Sequence, residues 1–185
     1  FCTPFKTRGH VSTGIGENFM EHLLNKLIGL LVHATELYRA LLGVVQNEKE
    51  AVVGLNLKQL NEASKAKDNL LLKLRILEEQ RQQVMERVAD ELGCSAQGLT
   101  VTQLSQQVDE SYGRQLLDRS TDLLALIQVL QDATQQNKSL MSHSMQLIQS
   151  SYNLLSNLMV ANPVYYPSGN MDKGDQTGRL LRGDI

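Results

Sequence analysis

The chain has 185 residues, of which 42% are hydrophobic and 21% charged, and its formal net charge is −2. This length fits one domain, or one domain with tails. The balanced charge gives no general attraction to nucleic acid or anionic lipid. Aromatic residues make up 4% and tryptophan is absent, which leaves little to build a base-stacking platform. Cys2 and Cys94 do not suit a disulfide framework, so the composition favours a reducing compartment.

The first 18 residues, FCTPFKTRGHVSTGIGEN, lack the apolar core that a signal peptide needs. The chain also has no uncharged apolar run of about 18 residues, the length a membrane span requires. We therefore expect no membrane span and a disordered leader over residues 1–18. The leader is either part of the natural protein or sequence upstream of a natural start at Met20, and both interpretations stay open.

Two long helices are predicted first, over residues 19–53 and 57–92. Their apolar residues step by alternating threes and fours, which keeps one face of each helix toward a partner helix. Gly54 and Asn56 predict a break between them, and Gly93 predicts a C-terminal cap on the second. The two stripes contain Met20, Leu24, Leu27, Leu31, Ala34, Tyr38, Leu41, Val45 and Val52, and then Leu70, Leu74, Leu77, Val84 and Val88.

A short helix from Val101 to Val108 follows, capped by Thr100 or Thr102. The third long helix is predicted over residues 111–160 and has a wider apolar face than the other two. The Asn-Pro pair that follows it stops the helix.

These elements predict an all-α fold, an elongated antiparallel bundle of three long helices with a short connecting helix over residues 19–160. Residues 161–185 are rich in Gly, Asp and Asn and are predicted to form a flexible tail. Such a thin bundle has no deep concave pocket of the kind that enzymes use. We therefore expect a protein that is not an enzyme.

Four polar residues interrupt the apolar stripes: Glu48, Lys67, Arg81 and Asn137. A buried charge costs several kcal/mol unless it is paired. Either these residues pair with one another, or they lie at the rim of the bundle with only their stems covered. Polar layers that set the register between helices, as a core asparagine does in coiled coils, are one interpretation; contact with a partner is the other.

The sequence contains little that indicates a catalytic or metal centre. No Cys, His or acidic residues stand at zinc spacing, and no phosphate-binding loop or nucleophile elbow occurs, so no cofactor is predicted. His33 and His143 are candidates for a phosphorelay histidine on a helical bundle. The residues that follow them, Ala-Thr-Glu and Ser-Met-Gln, do not fit the Lys and Gly usual in such bundles.

The segment SLMSHSMQLIQSSYNLLSNLMVANPVYYPSGNM, residues 139–171, contains no Asp, Glu, Lys or Arg. Uncharged polar side chains are desolvated at lower cost than Lys or Glu, which are depleted at protein interfaces. Methionines add adaptable apolar surface. The segment therefore predicts a partner-binding helix face, a core helix, or the seam of a homodimer.

Several linked segments resemble the FlgN family of flagellar export chaperones over about residues 20–169. They are LLVHATELYRALLGVVQNEKEAV, LKQLNEASKAKDNLLLKLRILEEQRQQVMERVADELG, the connection TQL, LLALIQVLQDATQQNKSLMSHSMQLIQSSYNLL and the tail motif YYPSG. Their order and spacing carry the resemblance. One position departs from the family, since Thr134 occupies the first of two asparagine positions and Asn137 the second.

The resemblance implies a cytoplasmic chaperone that binds the amphipathic C-terminal helix of hook–filament junction proteins. Such a chaperone blocks premature association and delivers these proteins to the type III export gate. Tyr165, in the tail motif, is then expected to dock on the gate. The alternative is a structural coiled-coil protein that self-associates through its third helix; we expect a monomer or weak homodimer. The expected substrate-helix contacts are Asn137, Leu140, Met141, Leu147, Ile148, Leu154, Leu155 and Leu158.

Overall fold

The computed structural model describes the backbone of residues 15–160 and the side chains of residues 18–158. Four helices follow in chain order: α1 (Ile15–Val53), α2 (Leu57–Leu92), α3 (Val101–Ser105) and α4 (Glu110–Val160). No strand occurs within residues 15–160, and the three long helices pack against one another. The predicted all-α fold of three long helices and a short connecting helix is confirmed.

The first helix starts earlier than the sequence predicted. It begins at Ile15 rather than at residue 19, so residues 15–18 of the predicted leader belong to its first turn. No proline stands between residues 5 and 19 to stop the helix. The rest of the predicted leader and the predicted tail, residues 1–14 and 161–185, lie outside the described part of the chain.

The predicted break between α1 and α2 is a tight turn. The Gly54 N–H donates to the Glu50 carbonyl at 2.8 Å and thereby closes the last turn of α1. The Asn56 side chain caps α2 by accepting from the Gln59 N–H at 3.1 Å. Between them Leu55 has a φ of 52°, a left-handed conformation that costs a residue with a β carbon roughly 1 kcal/mol.

The predicted cap at Gly93 is confirmed and has a specific form. Gly93 has a φ of 64°, in the left-handed region that glycine adopts without steric cost. Its N–H donates to the Asp90 carbonyl at 3.1 Å, and the Cys94 N–H donates to the Ala89 carbonyl at 2.9 Å. These two bonds are a Schellman motif, which satisfies carbonyl groups that the end of α2 would leave unpaired.

The short helix α3 is held by a capping box at its start and by close packing against α4 at its end. Thr100 and Gln103 form a capping box, in which each side chain accepts from the other residue's backbone N–H. Leu104 is fully buried. Gly113 of α4 packs so closely on α3 that a β carbon there would overlap the Ser105 carbonyl oxygen.

Most of the buried apolar side chains form two clusters. In each of them side chains of α1, α2 and α4 meet, and α3 joins the first cluster through Leu104. The start of α1 faces the end of α2, so these two helices are antiparallel. The first cluster contains Leu23, Leu24, Leu27, Leu31, Val84, Met85, Val88, Leu104 and Leu116. The second contains Leu41, Val45 and Leu130, against which Tyr38, Leu42, Leu70, Leu74 and Ala133 pack.

The chain divides into two compact units, Phe1–Leu140 and Met141–Ile185. Both core clusters consist of residues of the first unit. The described part of the second unit is the helical segment from Met141 to the end of α4. The sequence places residues 19–160 in one bundle domain, and that assignment stays a prediction.

Candidate docking surface

The helical segment of the second unit exposes most of its large apolar side chains. Seven of them retain between 52% and 69% of their accessible surface. Single exposed leucines are common on protein surfaces, but a contiguous apolar patch marks an interaction site. We call these seven side chains the docking surface: Met145, Leu147, Ile148, Tyr152, Leu154, Leu155 and Leu158.

No charged side chain borders the docking surface along the helix. Residues 139–171 contain no Asp, Glu, Lys or Arg, and the remaining positions of the helix carry mostly Ser, Asn and Gln. The only histidine among these residues, His143, is exposed. Amide and hydroxyl groups lose less free energy than charges when water is removed. A partner can therefore cover the surface without leaving an unpaired charge beside it.

The predicted contact residues fall into three environments. Leu147, Ile148, Leu154, Leu155 and Leu158 are exposed and belong to the docking surface. Leu140 and Met141 are half-buried, whereas Asn137 is buried at 3% exposure. Tyr165, the predicted gate-docking residue, lies outside the described residues.

Two residues of the docking surface, Met145 and Tyr152, are not among the predicted contacts. They are 66% and 52% exposed. Both lie three or four residues from Ile148 and therefore share its side of the helix. This spacing from Ile148 is the feature of the sequence that predicts Met145 and Tyr152 as members of the same surface.

Three of the four polar residues on the apolar stripes form one cluster that joins the three long helices. Glu48 of α1 pairs with Lys67 of α2, with 2.5 Å between the carboxylate oxygen and Nζ. Asn137 of α4 donates through Nδ2 to the Val45 carbonyl oxygen at 2.6 Å and lies 3.4 Å from the second Glu48 oxygen. We call Glu48, Lys67 and Asn137 the polar cluster. It contributes directional contacts that apolar packing does not supply.

The fourth polar residue, Arg81, pairs within its own helix. Its guanidinium donates two hydrogen bonds to the Glu78 carboxylate, at 2.8 and 2.6 Å. These bonds hold the pKa of the Glu78 carboxyl below its usual range, and the Glu78 carboxylate raises the pKa of Arg81. Arg81 thus lies at the rim, the second of the two arrangements predicted for these residues.

The described residues hold no group of three or more His, Cys, Asp or Glu side chains placed to bind a metal ion. His33 lines a shallow groove between α1 and α2, together with Lys26, Leu30, Lys73 and Ile76. This groove is open and two helical turns long. Its polar side chains, Lys26, His33 and Lys73, are exposed to solvent, unlike the enclosed polar groups that mark a small-molecule site.

Within the described part of the chain, one helix has the length and composition of a membrane span. The segment Asn18–Val53 passes that test by hydropathy. A soluble protein's core helix passes it as well, and α1 contributes Leu23, Leu27 and Val45 to the two core clusters. The finding therefore bears only weakly on the expectation that the chain has no membrane span.

The FlgN family model, described as FlgN protein, matches residues 20–173, most of the chain. The chain belongs to the FlgN family. This is a family of soluble cytoplasmic chaperones of flagellum assembly, and membership confirms the resemblance seen in the sequence. No curated protein and no solved structure matches the chain significantly. The FlgN match includes the whole docking surface and all three members of the polar cluster.

Proposed function

We propose that this FlgN-family protein is a cytoplasmic export chaperone whose docking surface binds the amphipathic C-terminal helix of hook–filament junction proteins. Binding covers the apolar stripe of that helix and so blocks premature association. The chaperone then delivers its client to the type III export gate. The observation that carries the proposal is the exposed, charge-free docking surface in a chain that belongs to a chaperone family.

The energetics of the surface suit reversible binding. Full burial of a Leu, Ile or Met side chain contributes about 1.5–3 kcal/mol. The seven side chains are 52–69% exposed, so covering them yields roughly 7–14 kcal/mol in total on that scale. Association costs about 4–15 kcal/mol in lost translational, rotational and side-chain freedom. The balance is of the size needed for a complex that forms and later releases its client.

The test is a binding assay with a C-terminal fragment of a junction protein and the double variant Leu147→Asp/Leu154→Asp. Two carboxylates on the surface must be desolvated without a partner, so we expect affinity to fall at least roughly a hundredfold. The matched control is Leu124→Asp, because Leu124 is an equally exposed leucine of α4 in the first unit, at 66%. The control should bind like the unaltered protein.

Circular dichroism of the double variant shows whether the helices persist. Unchanged affinity in a folded double variant would refute the assignment of the surface. A loss of helix in the double variant is resolved by Leu147→Ser/Leu154→Ser, which removes the apolar side chains without introducing charge. That variant should still bind more weakly than the Leu124→Asp control.

Delivery to the gate is assigned to the tail. Tyr165 lies in the Tyr-Tyr-Pro-Ser-Gly motif, which the family match also includes. A Tyr165→Ala variant should bind the client fragment normally but lose capture by the purified export-gate protein. Tyr166→Ala, one residue away, is the control. Equal capture of all three forms by the gate would remove Tyr165 from this role.

The alternative function is self-association of a structural coiled-coil protein. The same observation favours it, because an exposed apolar helix face also suits a second copy of itself. Sedimentation velocity between about 1 and 100 µM, a range that spans typical weak association, separates the two. A mass that doubles with concentration, and that Leu147→Asp/Leu154→Asp restores to the monomer, would support the alternative.

A further inference from the structure

The docking surface is wider than one partner helix covers. Positions seven residues apart fall on one line along a helix, and the apolar side chains of this segment lie on four such lines. With 3.6 residues per turn, the four lines spread over about half of the helix circumference. In order around the helix, the first line holds Leu147 and Leu154, and the second holds Ser144, Ser151 and Leu158. The third holds Met141, Ile148 and Leu155, and the fourth holds Met145 and Tyr152.

A single partner helix covers a narrower strip. A two-helix seam uses two lines of the seven, the a and d positions of a heptad. A helix laid centrally on this surface would leave one or both edges open to water. The edges are Leu154 on one side and Tyr152 on the other, about 160° apart around the helix axis at nearly the same height. Leu154 is 65% exposed and Tyr152 52%.

The first unit shows what covers a face of this kind. There the line of Leu116 and Leu130 packs against two helices at once. Leu116 lies in the cluster that holds Leu27 of α1 and Val88 of α2, and Leu130 lies in the cluster that holds Val45 of α1 and against which Leu70 of α2 packs. In the sequence this line continues at seven-residue spacing to Leu158. The docking surface, whose side chains are 52–69% exposed, therefore includes the sequence line that two helices cover in the first unit.

We infer that the client presents two helices to the docking surface, as a helical hairpin or as two separate segments of one chain. The inference rests on the proposed function and specifies the partner. Each client helix covers one edge of the docking surface, and the two client helices together cover its centre. The surface runs from Met145 to Leu158, 14 residues or about 21 Å, so each client helix needs an apolar stripe of about four turns. Its flanks need no charges, because the surface offers none to pair with.

The test places a photo-crosslinker at each edge, as Tyr152→p-benzoylphenylalanine and Leu154→p-benzoylphenylalanine. The client is a full-length hook–filament junction protein, and mass spectrometry identifies the captured peptides. We expect the two edges to capture two client segments separated by more than one helix length, roughly 14 residues or more. Deleting either captured segment should weaken binding at least roughly tenfold without abolishing it.

Capture at both edges within one or two turns of a single client helix, or capture at one edge only, would overturn the two-helix inference and leave the proposed function standing. Capture of a second chaperone copy at one edge would overturn it as well, because the second helix would then come from the chaperone. No client capture at either edge would refute the proposed function itself. Leu124→p-benzoylphenylalanine, on an exposed part of α4 in the first unit, should capture no client in any case.

Discussion

Removing Lys67 should destabilise the protein more than neutralising its partner Glu48. The two side chains form an ion pair in which Glu48 is 7% exposed and Lys67 28%. In Lys67→Met the Glu48 carboxylate stays buried, and its one remaining described polar contact is with Asn137 at 3.4 Å. Breaking a fully buried pair costs about 3–5 kcal/mol. Because the Lys67 side reaches water, we expect about 2–4 kcal/mol for Lys67→Met.

Neutralising Glu48 should lower the free energy of unfolding by less than removing Lys67. In Glu48→Gln the Lys67 ammonium can extend along its flexible stem into solvent, and the new amide can still accept from Asn137. We expect a loss of about 1 kcal/mol, the net value of one hydrogen bond. Replacing both members by methionine should recover much of the stability lost in Lys67→Met, since apolar residues of similar volume often substitute well for a buried pair.

Urea unfolding followed by circular dichroism at 222 nm measures these differences, and thermal unfolding should give a midpoint lowered by roughly 6–12 °C for Lys67→Met. Arg75→Met is the matched control, because Arg75 pairs with Glu79 on the same helix with side chains 79% and 60% exposed. It should change stability by at most about 0.5 kcal/mol. Two results would refute this account of the polar cluster. One is a Lys67→Met variant as stable as Arg75→Met, and the other is a smaller loss of stability in Lys67→Met than in Glu48→Gln.

Three further substitutions test the local structure. Gly113→Ala should lower the free energy of unfolding by about 1–3 kcal/mol in urea, because its β carbon overlaps the Ser105 carbonyl oxygen; an unaffected midpoint would contradict that close packing. Leu55→Gly should raise the free energy of unfolding by roughly 0.5–1 kcal/mol, since Leu55 has a φ of 52° and a side chain that is 79% exposed. A decrease would show that the backbone at Leu55 is not strained. Because the folded-state pKa of Glu78 is depressed by its bonds to Arg81, its stabilisation is present above the usual carboxyl range and lost as pH falls through the depressed value. Glu78→Gln should therefore flatten the acid limb of the stability–pH curve slightly, and an unchanged limb would argue against the pair.

The sequence predicted most of the helices because their signals are local. Asn56 and Gly93 carry the cap chemistry of α2, and both of its ends were predicted to the residue. The apolar spacing of α1 and α2 likewise predicted the buried positions Leu27, Leu31 and Val88. The start of α1 was predicted too late because the added turn carries no apolar stripe to mark it.

The site was harder to predict, because periodicity identifies the side of a helix and not what covers it. Leu130 and Leu154 belong to similar leucine-rich stretches of α4, yet Leu130 is 8% exposed and Leu154 65%. Asn137 was predicted both as a polar layer residue and as a partner contact, and only its bond to the Val45 carbonyl, 92 residues away in sequence, places it inside the bundle.

The end of α4 also has to remain helical while most of its large apolar side chains are exposed to water. Of the 18 residues from Met141 to Leu158, five are serine and two are asparagine, residues of modest helix propensity. In proteins most helical stability comes from tertiary packing rather than from intrinsic propensity. The backbone amides there should exchange with deuterium many times faster than those of Leu27 or Val88, and slow down once a client is bound. Ordering this segment is then part of the free-energy cost of binding, so the local helix–coil balance becomes a means of tuning how readily the client is released.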